Sequence, residues 1–381
     1  MISDVSFPRV NGVSTSIATF RSSLAELGHE TTLIAPSYPG LGMREDELRI
    51  SSRAVPLDPE DRLMSYREAM ALTGRLAAER FDIIHVHTPF VAHYAGVTLG
   101  RRLGLPVVET YHTFFEEYLH HYIPLLPSSL TRWAARRFTV SQCRSVDALV
   151  VPSRQMLGVL RDYGIACRAE VIPTGLDLSK FQGGDGHLFR REHGIHPDRP
   201  VLAHISRVAH EKNIDFILRT LVEVRRKVPD VLLVLAGEGP ALPYLKKLTL
   251  DLELVDNVRF IGYLDRATTL LDCYRAANAF VFASRTETQG LVLLEALALG
   301  VPVVSTAVMG TADVLRDVKG AVVAPDHLEG FADAVVSVVL DADRQRELSV
   351  AGPKDAEAWS AYAMAGSLAG LYREVIESKS R

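Results

Sequence analysis

Ala279-Phe280-Val281-Phe282-Ala283-Ser284-Arg285-Thr286-Glu287-Thr288-Gln289-Gly290-Leu291-Val292-Leu293-Leu294-Glu295 passes from an apolar strand pattern through a polar turn into an apolar helix, which runs to Leu299 and is closed by Gly300. A short, continuous apolar run reads as a strand buried on both faces, and glycine just past a periodic run is a helix stop. The amides at such a helix start carry unpaired N–H groups and partial positive charge, so they suit an anionic or polyhydroxy ligand. Glu295 falls about one turn inside the helix, where its carboxylate can accept two hydrogen bonds from adjacent hydroxyls such as a ribose diol. Glu287 lies near the carboxyl end of the strand, where ligands collect in open α/β sheets. Two glutamates at this spacing also fit a capped helix with surface carboxylates; the strand–turn–helix setting is what points to a ligand.

The same alternation fills the chain. Strand-like runs at Thr31–Ala35, Ile83–His87, Val107–Thr110 and Ala148–Val151 are separated by helical patterns such as Ile17–Leu27 and Val91–Leu103, closed by Gly28 and Gly104. It pauses at Pro173-Thr174-Gly175-Leu176-Asp177 and Gly183-Gly184-Asp185-Gly186. It restarts with Val201–Ile205, Val231–Ala236, Val258–Ile261, Ala279–Phe282 and Val301–Ser305. The expectation is an α/β protein with parallel sheets in two doubly wound domains, 1–174 and 175–359, joined by a linker, with a last helix from about 360. Only Met1–Asp4 precede the Ser6-Phe7-Pro8 turn, whereas a strand normally takes about 5–6 residues. Either the chain as given begins inside its first strand, or that strand is unusually short.

Four further stretches carry chemistry. Ser206-Arg207-Val208-Ala209-His210-Glu211-Lys212-Asn213 follows an apolar strand and precedes a helix over Asp215–Arg226. Arg207, as a planar fork, and Lys212, as a point charge, can flank a diphosphate and stabilise it as a leaving group. Gly237-Glu238-Gly239-Pro240 either only turns a strand into a helix or touches a nucleotide. Asn11-Gly12 opens the first helix, where glycine permits close approach of a phosphate or an acceptor hydroxyl. His112 lies just past Val107–Thr110 and, as a neutral imidazole, can hold a sugar hydroxyl or assist proton movement. His85-Val86-His87 has metal-like spacing only if a further ligand joins it. Asp341-Ala342-Asp343 reads as a helix cap, so no metal is expected.

The 381 residues are 48% hydrophobic and 23% charged, with a net charge of −4, so no global field recruits nucleic acid. Cys143, Cys167 and Cys273 form no CxxC pair and fit reduced thiols. No apolar stretch reaches the ~18 residues that span a bilayer. Met1 runs into Ile2-Ser3-Asp4 with no basic region before it, so a cytoplasmic protein without a signal peptide is expected.

Arg207 and Lys212 followed by Glu287 and Glu295, with the Asn11-Gly12 loop, His112 and the linker in order, resemble the signature of retaining family-4 glycosyltransferases, and the resemblance covers nearly the whole chain. It implies a GT-B fold: two Rossmann-like domains facing a cleft, with the C-terminal helix 360–381 crossing back to the N-terminal domain. It implies that Arg207 and Lys212 bind the donor diphosphate and Glu295 the ribose. Glu287 and the amides of Gln289, Gly290 and Leu291 would hold the transferred sugar, His112 would contact it near the reacting centre, and Gly12 would lie by the phosphate or acceptor. Tyr263 is implied as a nucleobase contact. The chemistry implied is retention of anomeric configuration without a metal or cofactor, the nucleotide-diphosphate sugar being a co-substrate.

Within the family, the stretch from Tyr111 to His120 and Thr286-Glu287-Thr288-Gln289-Gly290 resemble the diacylglycerol glycosyltransferase branch. That implies a hexose moved from a UDP-glucose-like donor to a lipid hydroxyl, with Asn11, Phe114, Phe115 and Tyr118 in the acceptor region. Relatives acting on phosphatidylinositol, inositol phosphate or soluble acceptors, and epimerases or hydrolases on the same fold, are the alternatives. Aromatic residues from Phe114 onward beside Arg132, Trp133, Arg136 and Arg137 suit either an interfacial segment attached peripherally to a membrane or a core loop with a solvated arginine face.

Overall fold

The computed structural model describes residues 1–9, 11–38, 45–55, 58–112, 128–266, 268–287 and 289–380, with side chains except at 54–55, 58–61 and 128–132. The chain divides into two compact units, Met1–Gly175 with Ala361–Arg381, and Leu176–Ser360.

The second unit holds one six-stranded sheet, ordered Val258–Gly262, Leu232–Ala236, Val201–Ile205, Ala279–Phe282, Val303–Ser305, Ala321–Val323. All the pairings are parallel. In chain order this is 3-2-1-4-5-6, the doubly wound arrangement, whose switch point falls between Val201–Ile205 and Ala279–Phe282. Alternate residues explain why the strands are apolar throughout. Ala203, Ile205, Val234, Phe280 and Phe282 pack in one cluster with Leu270, Leu271 and Leu294. Leu202, Leu233, Leu235 and Val281 pack in another with Leu218, Leu221 and Phe331. Both faces are therefore covered by helices.

Ala321–Val323, at the sheet edge, is apolar throughout yet only half-buried or exposed. Asp341 caps the helix Ala342–Glu357 by accepting from the Arg344 amide at 2.9 Å.

The Gly183–Gly186 stretch differs from expectation: it is not linker but close packing within the second unit. A Cβ at Gly186 would stand 2.3 Å from the Arg275 carbonyl oxygen, and one at Gly184 2.9 Å from that of Leu271. These glycines let the helix Gly186–Glu192 seat on Thr269–Ala276. Gly186→Ala is expected to cost about 1–3 kcal/mol through this overlap, visible as a lower urea midpoint. An unchanged midpoint would mean that the helix pair separates freely.

The first unit repeats the plan. Leu33–Pro36 pairs with Glu47–Ile50, and Ile84–Val86, Val107–Thr110, Ala148–Val151 and Arg168–Val171 follow one another, all parallel. Ile2 bridges Ile34 on one side and Val86 on the other. Met1–Ser3 thus fills the central strand position, and the switch point lies between Ile2 and Ile84–Val86. An antiparallel pair, Ser52–Val55 with Asp58–Met64, stands apart, too charged to read as strand from pattern. The helix Ala361–Lys379 belongs to this unit: Ala365, Leu368, Leu371 and Val375 pack with Phe20 and Leu24 of the first helix, Gly12–Glu26.

Candidate active site

At the second unit's switch point two loops leave neighbouring strands. One, Ser206–Asn213, ends in a single 3-10 turn, His210–Lys212; the other, Ala283–Gly290, leads into the helix Leu291–Ala298. Backbone ties hold them together. Asn213, in the left-handed region at φ 55°, donates its side-chain amide to the Ala283 carbonyl at 3.0 Å. Ser284 and Thr286 hydroxyls both donate to the Glu211 carbonyl. The result is a direct ion pair, Lys212 Nζ to Glu287 Oε1 at 2.5 Å, with side chains only 21% and 16% exposed. The Glu287 carbonyl in turn accepts from the Gly310 amide at 2.8 Å.

Gly237 and Gly239 set the level of the Ser206–Ala209 loop. A Cβ on Gly237 would lie 1.9 Å from the Ser206 carbonyl oxygen and one on Gly239 2.3 Å from that of Val208. Val208 exchanges bonds with this turn, donating to the Glu238 carbonyl at 2.9 Å and accepting from the Ala241 amide at 3.0 Å. The glycine pair is thus accounted for by loop against loop. Arg207, on the same loop, is 67% exposed and stands 3.7 Å from Glu211, so its guanidinium is open to a ligand.

Gly290, at φ 84°, turns the chain into the helix, and Leu291 is the first helical residue. Glu295 is buried. Its Oε2 accepts from the Tyr274 hydroxyl at 2.9 Å, and its Oε1 is paired with Arg266. Burial, with Glu295 alongside, pushes the Tyr274 hydroxyl well above its ordinary range. Tyr263 follows Val258–Gly262 and is 73% exposed. Arg207, Lys212, Glu287, Gln289, Gly290, Leu291, Glu295 and Tyr263 therefore all follow the carboxyl ends of this sheet's strands.

Sequence reading missed Tyr274 and Arg266, whose contacts with Glu295 have no motif. It also missed His204, which binds across the switch point: Nδ1 lies 2.9 Å from the Val281 carbonyl oxygen and Nε2 2.8 Å from the Ser206 hydroxyl. Burial lowers this imidazole to about 4, so it is neutral.

In the first unit, Asn11 caps the first helix: its Oδ1 accepts from the Ser14 amide at 2.9 Å, and the Ser14 hydroxyl accepts from the Asn11 amide at 3.0 Å. A Cβ on Gly12 would meet nothing within 4 Å, so the chain's own packing does not demand glycine there. Asp4, unnoticed in the sequence, is buried at the switch point. It accepts from Thr88 Oγ1 at 2.8 Å and from the Ala92 amide at 3.1 Å, at the start of the helix Val91–Leu103. Burial pushes its carboxyl up to about 6 against those bonds. His112 joins His87, Nε2 to Nδ1 at 3.2 Å, and burial lowers it to about 4. Phe114, Phe115 and Tyr118 lie outside the described residues.

Residues 10–180 match the family model Glycosyltransferase Family 4, and 187–355 match Glycosyl transferases group 1. An alpha-monoglucosyldiacylglycerol synthase of Streptococcus pneumoniae (strain ATCC BAA-255 / R6) is 34% identical over 80% of this chain and 70% of its own length. The chain belongs to glycosyltransferase family 4. This family-4 chain is also 29% identical to a GDP-mannose-dependent alpha-(1-6)-phosphatidylinositol monomannoside mannosyltransferase of Mycolicibacterium smegmatis (strain ATCC 700084 / mc(2)155), over 91% of this chain and 90% of the relative. Sucrose-phosphate synthase from Thermosynechococcus elongatus shares its fold, with a TM-score of 0.76 at 22% identity over 97% of this chain and 94% of that one. The fold is GT-B, with two Rossmann-like units and a C-terminal helix, and the protein is a glycosyltransferase.

Proposed function

We propose that this family-4 enzyme moves a glucosyl group, with retention, from UDP-glucose to the free hydroxyl of a diacylglycerol-type lipid. The observation that carries the donor half is the meeting of Lys212 and Glu287 at the second unit's switch point, with Glu295 buried one turn into the adjoining helix. In this reading Lys212 and the open Arg207 take the diphosphate, and Glu295 takes the ribose. Glu287 and the amides from Gln289 to Leu291 take the sugar, and Tyr263 faces the base. In the first unit His112 contacts the transferred sugar, and Gly12 admits the phosphate or the acceptor. Lys212 and Glu287 form one charge pair, whose cation serves the diphosphate and whose carboxylate serves the sugar hydroxyls. The cations stabilise the departing nucleoside diphosphate, whose phosphate oxygen takes the acceptor proton on the same face.

The lipid acceptor is supported by the name of the 34% identical relative. It is also supported by exposed Phe90, Tyr94 and Trp133 in the first unit, where Arg136 and Arg137 are exposed as well. Apolar rings among arginines suit the surface of an anionic bilayer. Among the described residues no helix is long and apolar enough to cross a membrane. A second reading, GDP-mannose with a phosphatidylinositol-type acceptor, is favoured by the mannosyltransferase likeness over 91% of the chain.

Incubation with diacylglycerol vesicles and labelled UDP-glucose is expected to give an organic-soluble, α-linked product. Label only in water-soluble product rejects the lipid acceptor, and equal turnover without acceptor indicates a hydrolase or epimerase. UDP is expected to raise the Tm at a concentration about 100 times its Kd by the equivalent of about 2.7 kcal/mol; a shift with GDP alone favours the second reading.

A further inference from the structure

We infer that His87 is a positioning residue that fixes the tautomer of His112, so that His112 presents an Nδ1–H donor and has no free ring nitrogen to act as a base. The inference rests on the reading above that places His112 at the transferring sugar.

His87 follows the strand Ile84–Val86 directly and is almost fully buried. Its backbone amide donates to the Ile2 carbonyl in the central strand at 2.9 Å. Its ring lies 4.1 Å, centroid to centroid, from that of His85. His85 is itself pinned at both nitrogens, with Nε2 2.6 Å from Thr110 Oγ1 and Nδ1 2.5 Å from the Tyr372 hydroxyl of the last helix. The ring of His87 therefore has little freedom to turn. Its plane is within 25° of that of His112, and the two meet edge to edge, His87 Nδ1 to His112 Nε2, at 3.2 Å.

Both imidazoles are held uncharged at neutral pH, chiefly by burial. A neutral pair shares one proton between the facing nitrogens, and two arrangements are possible. The far nitrogen of His87 chooses between them, because Nε2 is buried and has no hydrogen-bond partner. If His87 accepted at Nδ1, its own proton would sit on Nε2 as a buried donor with nothing to bond. If it donates from Nδ1, only a lone pair is left unsatisfied. Orphaned buried N–H groups are rarer in folded proteins than under-satisfied acceptors. His87 therefore donates, His112 Nε2 accepts, and the remaining proton of His112 is on Nδ1. No described residue's hydrogen bond to that Nδ1 competes with a ligand. The open choice between hydroxyl holder and proton acceptor closes in favour of a fixed donor to a sugar oxygen.

The test is long-range 1H–15N correlation on the full chain labelled with 15N-histidine, His112 being assigned by the signal lost in His112→Gln. The expected result is a protonated Nδ1 and an unprotonated Nε2 on His112. His87→Leu removes the donor and is expected to move the proton to Nε2 and lower kcat about tenfold with donor KM little changed. His87→Asn keeps an amide N–H near the position of Nδ1 and is expected to retain both the tautomer and most of kcat. An Nε2-protonated His112 in the wild type, or an unaltered tautomer in His87→Leu, overturns the inference. A tautomer shift with kcat untouched overturns instead the placement of His112 at the sugar.

Discussion

Lys212→Ala is expected to lower kcat/KM by roughly 10²–10³-fold, the loss typical when one preorganised group facing developing charge is removed. The lysine stands at the switch point between the two central strands, on a 3-10 turn fixed by Asn213 and by the Glu211 carbonyl's two hydroxyl donors. Its ammonium is placed before the donor arrives and needs no reorganisation when the diphosphate leaves. Removing it also leaves Glu287 as a half-buried carboxylate without its 2.5 Å partner, so a modest fall in Tm accompanies the kinetic loss. Glu287→Gln separates the two effects, since it keeps the shape and the cation and removes only the acceptor charge. Because the residues act as a pair, Lys212→Ala with Glu287→Gln is expected to cost much less than the sum of the singles. A Lys212→Ala enzyme within fivefold of wild type would remove this residue from the leaving-group site.

Much of this arrangement is legible in the sequence because it is built from local signals. The run from Ala279 to Glu295 declares strand, turn and helix through its periodicity, and cover on both faces makes the central strands equally apolar, whereas the edge strands Glu47–Ile50 and Arg168–Val171 carry charges. What escapes is what depends on distant partners. Tyr274 looks like any apolar-face residue of an amphipathic helix, yet its hydroxyl meets Glu295, 21 residues on. His204 sits inside an apolar strand, and nothing local says that its ring joins Val281 to Ser206. Asp4 resembles a turn residue and instead meets the start of a helix 88 positions away. Glycine misleads in the opposite direction. Gly183–Gly186 has the composition of a linker, but Gly186 is small because the Arg275 carbonyl passes over it. His85, in the strand Ile84–Val86, and His87, just past it, have metal-like spacing, while their ring nitrogens face Tyr372, Thr110 and His112.

Glu295 is where donor recognition and folding can be separated by choice of substitution. Its two oxygens are already engaged, one by the buried Tyr274 hydroxyl and one by Arg266, whose side chain is 61% exposed. The ribose hydroxyls of a donor have to share these oxygens, and Arg266 is the partner that can yield because water can take its place. Glu295→Gln keeps the shape and an acceptor for Tyr274, so Tm is expected to change little. Donor KM is expected to rise roughly 10- to 100-fold, since hydrogen bonds to a charged acceptor contribute about 1.5–3 kcal/mol each. Glu295→Ala adds a stability loss of about 1–3 kcal/mol, because Tyr274 keeps only the 3.3 Å bond to the Val292 carbonyl. Tyr274→Phe provides the converse: it leaves the carboxylate in place, so donor KM is expected to stay within a few fold of wild type. Measuring donor KM and Tm for the three variants tests the assignment, and an unchanged KM in Glu295→Gln would show that this carboxylate serves the fold and not the donor.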